Sequence, residues 1–209
     1  MGGSGVSKDM ADPDYSRGMK VIACRDCPLR PLALFIPHAP EELGLIETIK
    51  KDQIVVRADG AVIHEGQSDA PLYTLLAGWA FRFKTLSDGR RQILNFLLPG
   101  DFIGVQQKMG DASPHGVQAL TDVALCVFRR DALWEVHRNA PTLGFAVTWL
   151  TAHEESIVDD TLLSVGRRSA EERIATLLIL LYKRAAATLR ADEAGELGVP
   201  FPLTQQHIA

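Results

Sequence analysis

No apolar run in the 209-residue sequence approaches the ~18 residues that a membrane-crossing helix requires, so the reading starts without a membrane span. The opening stretch, Met1 to Lys8, lacks the apolar core of a secretory signal; it reads as a disordered leader, and the cytoplasm is the expected compartment. There is no Gly-x-Gly-x-x-Gly, no phosphate-binding P-loop and no Ser/His/Asp set, which leaves the common nucleotide-dependent and hydrolytic chemistries without an anchor. The six histidines (38, 64, 115, 137, 153 and 207) include no His-x-His pair, which argues against a metal-dependent enzyme on a cupin-like barrel. Positive charge is not in excess: 22 Lys and Arg face 26 Asp and Glu for a net −4, not the footprint of a chain dominated by nucleic-acid contacts. Cysteine is scarce. Cys24, Cys27 and Cys126 are an odd number, and in a reducing compartment they point to metal, redox chemistry or core filling rather than to a disulfide framework. Repeats are absent, and no low-complexity tract follows the first few residues.

What is present is ordinary globular composition, 46% hydrophobic and 23% charged, with length for one sizeable domain and a small appendage. From Gln53 to Phe128 short apolar runs alternate with turn signals. The predicted strands are Ile54–Arg57, Ala61–His64, Leu72–Ala77, Trp79–Leu86, Arg91–Leu98, Phe102–Gly104, Gly116–Leu120 and Ala124–Phe128. Asp88-Gly89 between two such runs signals a hairpin. Trp79, Phe81 and Phe83 alternate with Ala80, Arg82 and Lys84, the period of a half-buried strand, and the aromatic row reads as core. Eight short strands at this spacing predict a small antiparallel β-roll or jelly-roll barrel.

Beyond Arg129 the period becomes helical. A short helix is expected over Asp131–Arg138, and Pro141 suits the first turn of a long one reaching about Gly166. Leu143, Val147, Leu150, Ile157 and Thr161 form one stripe, interrupted by Glu154, and are the expected dimer contacts on this helix. Ser169 and Glu172 make a capping box ahead of Ile174, Leu177, Leu178 and Leu181. A polar link over 190–198 leads to Phe201, after which Thr204 is placed to cap a further helix. So short a final helix would be marginal alone, and the sequence reads as cut short.

In this order, barrel, long helix, capped helix and a Leu-Thr-Gln-Gln-His-Ile-Ala opening, the chain resembles the Crp/Fnr family of bacterial transcription regulators. The telling segments are Leu98-Pro-Gly-Asp-Phe-Ile-Gly104, Ala170-Glu-Glu-Arg-Ile-Ala175 and Pro202-Leu-Thr-Gln-Gln-His-Ile-Ala209, and the likeness runs from about Cys24 to Ala209. The resemblance implies an α+β chain: a leader over 1–20, a β-roll sensor domain over 21–140, a dimerisation helix over 141–166, and over 167–209 the start of a winged helix-turn-helix. Thr204, Gln205 and Gln206 open that DNA-binding domain, whose second helix would enter the major groove. A homodimer is implied, with DNA and RNA polymerase as partners of the full-length protein. The missing part would carry the phosphate-contacting cations, so DNA binding is not expected of these residues alone.

Two effectors come into question for the barrel. Family members that bind cyclic nucleotides place a Glu after the Phe-Ile-Gly turn and an Arg-Ser pair some ten residues on. Here Val105 and His115-Gly116 stand there, and Lys108 is the only cation between Asp101 and Leu120. A buried phosphate without a fixed cation is costly, which disfavours a cyclic nucleotide. Cys24-Arg-Asp-Cys27 ahead of the barrel is instead similar to the iron–sulphur oxygen sensors of the family, and Cys126 matches their fourth ligand, although Ala33 occupies the place of the third. An iron–sulphur cluster on these three thiols would need one more ligand, for which Asp26, His38 and Asp122 are the nearby candidates. Cys126 also suits a plain core position on a strand face shared with Ala124 and Phe128. The expected protein is a regulator sensing redox state, oxygen or a small ligand, and not an enzyme. Its rivals are a stand-alone effector-binding module and a barrel metalloenzyme.

Overall fold

All eight apolar runs form strands, because each is closed by a turn that lets the chain reverse. A computed structural model describes residues 21–32, 37, 39–107, 110–188, 199 and 201–208. The expected leader, the expected polar link, Ala33, His38 and Lys108 lie outside the described residues. The strands are β1 (Lys50–Val56), β2 (Ala61–Ile63), β3 (Leu72–Ala77), β4 (Ala80–Thr85), β5 (Arg91–Leu97), β6 (Phe102–Ile103), β7 (Gly116–Ala119) and β8 (Val123–Phe128). They assemble as two four-stranded sheets ordered β1-β8-β3-β6 and β2-β7-β4-β5, with antiparallel pairing between every pair of neighbours. Gly89 turns the β4–β5 hairpin at φ +84. Gly78, also at φ +84, has no room for a side chain: a Cβ there would stand 2.2 Å from the Asp122 carbonyl oxygen.

The inner faces of the two sheets share one apolar core that includes Ile63, Leu75, Ala80, Leu97, Ile103, Val117, Val123 and Leu125. Alternation therefore sends Phe81 and Phe83 of β4 to the outer face, while Arg82 points inward with Ala80. Arg82 is only 7% exposed. The aromatic row is core as expected, but of a second cluster on the outside of the barrel, and its polar counterpart is buried rather than solvated.

Among the described residues the α-helices are α1 (Pro40–Ile49), α2 (Ala132–Asn139), α3 (Pro141–Arg167), α4 (Ala170–Thr188) and α5 (Gln205–Ile208). Sequence reasoning missed α1, which starts from Ala39 without a Ser, Thr, Asn or Asp cap; Glu42 Oε2 accepts the free Ala39 N–H at 3.0 Å instead. The Ser169 capping box forms in both directions. Glu172 N–H donates to Ser169 Oγ at 3.2 Å and Ser169 N–H donates to Glu172 Oε2 at 2.8 Å.

Helix α3 has 27 residues and a length of about 40 Å. The stripe read as its dimer face turns largely toward its own subunit. Leu143 is buried with Ile49, Ala132 and Val136. Val147 and Leu150 wall a cavity against the barrel, and Ile157 and Thr161 face β5 and α4. The large apolar side chains left exposed are Phe145, Trp149, Val158, Leu162, Leu163 and Val165. Among the described residues no helix is long and apolar enough to cross a membrane.

Candidate functional site

Two neighbouring features bring chemistry-bearing side chains together. The first is built on the outer face of β8. Cys24 begins a single 3-10 turn, Cys24–Asp26, which closes with the Cys27 N–H donating to the Cys24 carbonyl at 3.3 Å. Cys27 packs on the cluster of Leu29, Leu76, Ala124 and Cys126. All three thiols line one apolar cavity of about 240 Å³, whose other walls include Ile46 and Ile49 of α1, Val136 of α2, and Leu143, Val147 and Leu150 of α3. Residues a hundred positions apart thus meet against the long helix.

Burial pushes the Cys126 thiol up to about 11 and also lifts Cys24, while the Lys50 ammonium draws both back down. Cys24 and Cys126 are therefore protonated at neutral pH unless a cation or an oxidant claims them. Lys50 Nζ donates to the Ile22 carbonyl at 3.0 Å and to Gln53 Oε1 at 3.4 Å, which fixes the charge at this spot. Gln53 pairs with Cys126 across the β1–β8 register, and its Nε2 is buried without a hydrogen-bond partner. A buried donor beside a buried thiol asks for an acceptor, such as a thiolate or an inorganic sulphide. In that respect the residues fit a sulphur-ligated group.

Of the expected fourth ligands, the two that are described, Asp26 and Asp122, do not join them. Asp26 is exposed and lies 3.7 Å from Arg25 Nε. Asp122 is held at the other end of β8 by Arg57 Nη1 (2.5 Å) and the Ala58 N–H (2.9 Å), so its carboxylate is already committed. His38 lies outside the described residues. Among those described, no three His, Cys, Asp or Glu side chains converge closely enough to form a ready metal site.

The second feature is the barrel interior, where Arg82 Nη2 donates to both oxygens of Glu154 on α3, at 3.1 and 3.0 Å. Gln106 Nε2 adds a bond to Glu154 at 2.7 Å. Burial raises the Glu154 carboxyl above its ordinary range, against the pull of Arg82. Nearby His115 is depressed to about 4, first by burial and then by the charges of Arg82 and Lys84. Sequence reasoning sought a cation only between Asp101 and Leu120 and so missed Arg82; its placement between two aromatics at a two-residue period was the available signal. This guanidinium is already neutralised by α3. The turn after β6 is occupied in a similar way: Arg130 donates to the carbonyls of Ala70, Gly104 and Gln107 at 2.7–3.0 Å.

At the other end of the chain, Thr204 and Gln205 are exposed and Gln205 begins α5, while the Gln206 side chain lies outside the described residues. Thr204 Oγ1 and N–H both lie 3.0 Å from His207 Nδ1, so the helix start is tied by an imidazole.

Comparison with known proteins places this architecture. Residues 53–140 match the cyclic nucleotide-binding domain family. The transcriptional activator protein FnrL of Cereibacter sphaeroides is 33% identical over 89% of this chain and 74% of its own length. The nitrogen fixation regulation protein FixK of Bradyrhizobium diazoefficiens is 30% identical over 89% of this chain and 76% of its own. Among solved structures, FixK2 from Bradyrhizobium japonicum superposes with a TM-score of 0.62 at 27% identity, covering 75% of this chain and 74% of that one. The same order of β-roll, long helix and capped helix, matched along nearly the whole length, means that the chain belongs to the Crp/Fnr family of bacterial transcription regulators.

Proposed function

We propose that this protein is a homodimeric, DNA-binding transcription regulator whose β-roll, residues 21–140, responds to redox state or oxygen through Cys24, Cys27 and Cys126. The observation that carries the reading is that the three thiols share one cavity with Leu143, Val147 and Leu150 of α3. A change of volume or charge at the sulphurs is felt at once by the helix, 141–166, that joins the sensor to the DNA-binding segment, 167–209. Two packings of that helix would orient the DNA reader in two ways.

Cys24, Cys27 and Cys126 are the residues that would hold an iron–sulphur cluster, and the unpartnered Gln53 Nε2 would donate to a sulphur there. Bound, such a cluster supplies an oxygen-sensitive redox centre. The chain's own part is to exclude water with α1 and α3, to keep Lys50 beside the thiolates, and to leave one ligand position to a group other than a protein thiol. The Arg82–Glu154 pair supports the view that a cyclic nucleotide is not the effector, since its phosphate would have to displace Glu154 from the buried cation. The likeness to transcription regulators supports a regulatory rather than a catalytic role. The stand-alone effector module is the weaker alternative, because the likeness to the regulators continues past the barrel into α4.

The test is anaerobic purification followed by iron and acid-labile sulphide assay and an absorbance spectrum, on the wild type and on Cys24→Ser and Cys126→Ser variants. Iron and sulphide in the wild type, lost in both variants while the thermal midpoint holds, support the reading. Metal-free protein whose air-exposed and anaerobic forms behave identically would remove the sensor.

A further inference from the structure

Helix α4 is fastened to the barrel by contacts that do not pass through α3. Its inward face places Leu181 and Ala185 on the aromatic wall formed by Trp79, Phe81, Phe83 and Phe96. Beside this apolar contact, Arg184 Nη2 donates to both oxygens of Asp101, at 2.7 and 2.5 Å, and Nη1 donates to the Phe96 carbonyl at 3.1 Å. Asp101 is held in turn, because its carboxylate accepts the Leu98 N–H at 2.9 Å across the Pro99-Gly100 turn. The turn therefore presents a fixed anion to a helix eighty residues further along. Gly100 and Phe102 on either side of Asp101 also line the thiol cavity, so the latch and the cavity share one short segment.

We propose that the Asp101–Arg184 pair is a latch by which the barrel holds α4 directly, giving the sensor a second route to the DNA-binding segment beside the long helix. The inference rests on the family assignment for the role of α4, and the contact itself needs no group bound at the thiols. Both side chains keep some solvent access, 21% for Arg184 and 13% for Asp101. The pair is thus open to screening by salt, as a releasable contact should be and a sealed core contact would not. Phe201 packs edge-on to Trp79 at 5.6 Å between ring centroids, so residues beyond α4 follow it onto the same wall.

Amide hydrogen exchange of the wild type, Arg184→Gln and Arg184→Lys tests the latch at about 0.05 and 0.5 M salt. In the wild type, salt speeds exchange in α4 and leaves β8 and the first half of α3 unchanged. In Arg184→Gln, α4 exchanges about tenfold faster than in the wild type at low salt and no longer responds to salt, while Arg184→Lys recovers part of the protection. Wild-type exchange rates for α4 in Arg184→Gln would overturn the latch. So would acceleration of β8 together with α4, since the helix would then open only with the whole fold. Neither outcome depends on metal, so a failed sensor reading and a failed latch are told apart.

Discussion

Removing Glu154 should unmask the energetics of the barrel interior. The carboxylate faces Arg82, whose side chain is 8% exposed, against 20% for Glu154 itself. At 3 Å and an effective dielectric constant near 20, their attraction is about 5 kcal/mol, and most of this is offset by desolvating the two ions. Both bonds come from one nitrogen, and Arg82 Nε has no partner, so the geometry is poorer than a two-nitrogen fork. The pair as a whole therefore adds little net stability, whereas losing one member leaves a buried cation uncompensated. Glu154→Gln should cost ~3 kcal/mol, the low end for a broken buried pair because Glu154 keeps some access to water. Arg82→Met with Glu154→Leu should lie within about 1 kcal/mol of the wild type. Urea unfolding followed by circular dichroism gives both values. A Glu154→Gln cost below about 1 kcal/mol, or a double variant as unstable as the single one, would refute the argument that Arg82 is compensated by α3.

The barrel interior and the long helix each make a further outcome measurable. His115 titrates near 4 in the fold and near 6.5 when unfolded, so above ~6.5 it is neutral in both states, and stability is lost as pH falls from there toward 4 because only the unfolded chain takes up the proton. The loss is at most ~3 kcal/mol, and unfolding midpoints of His115→Gln should show a flatter pH dependence over that window; an unchanged slope would place the titration elsewhere. On α3, Leu162→Glu should convert dimer to monomer in sedimentation with little change in fold stability. Leu143→Ala should do the reverse, lowering stability by roughly 2–3 kcal/mol without changing the mass, and dissociation by Leu143→Ala would restore the first-read stripe as the interface.

Much of the architecture was legible in the sequence, for a local reason. Strand runs closed by Gly-containing turns, Pro141 at a helix start and the Ser169–Glu172 box are short-range signals that act within a few residues. Helix α1 escaped because its cap is a Glu42 side chain reaching back to Ala39, with no capping residue at the start. The three cysteines were legible as candidates, and their chemistry marked them. That they share a cavity was not, since it needs the N-terminal turn to lie on the outer face of β8.

The face of α3 shows where sequence stops. Helical period alone identified an apolar stripe through Leu143, Val147, Leu150, Ile157 and Thr161, with Glu154 as an intruder. It carried no information about what the stripe meets. Folding places Arg82 opposite that intruder, which turns the apparent defect into the polar centre of an intrachain contact and leaves Phe145, Trp149 and Leu162 to the outside. By itself the sequence determined the strands, the helices after the barrel and their order, because turns, caps and periodicity are properties of neighbours. The tertiary structure alone decided which face is inner, to which partner Asp122 is committed and which charges are paired, because those depend on groups brought together across long stretches of chain.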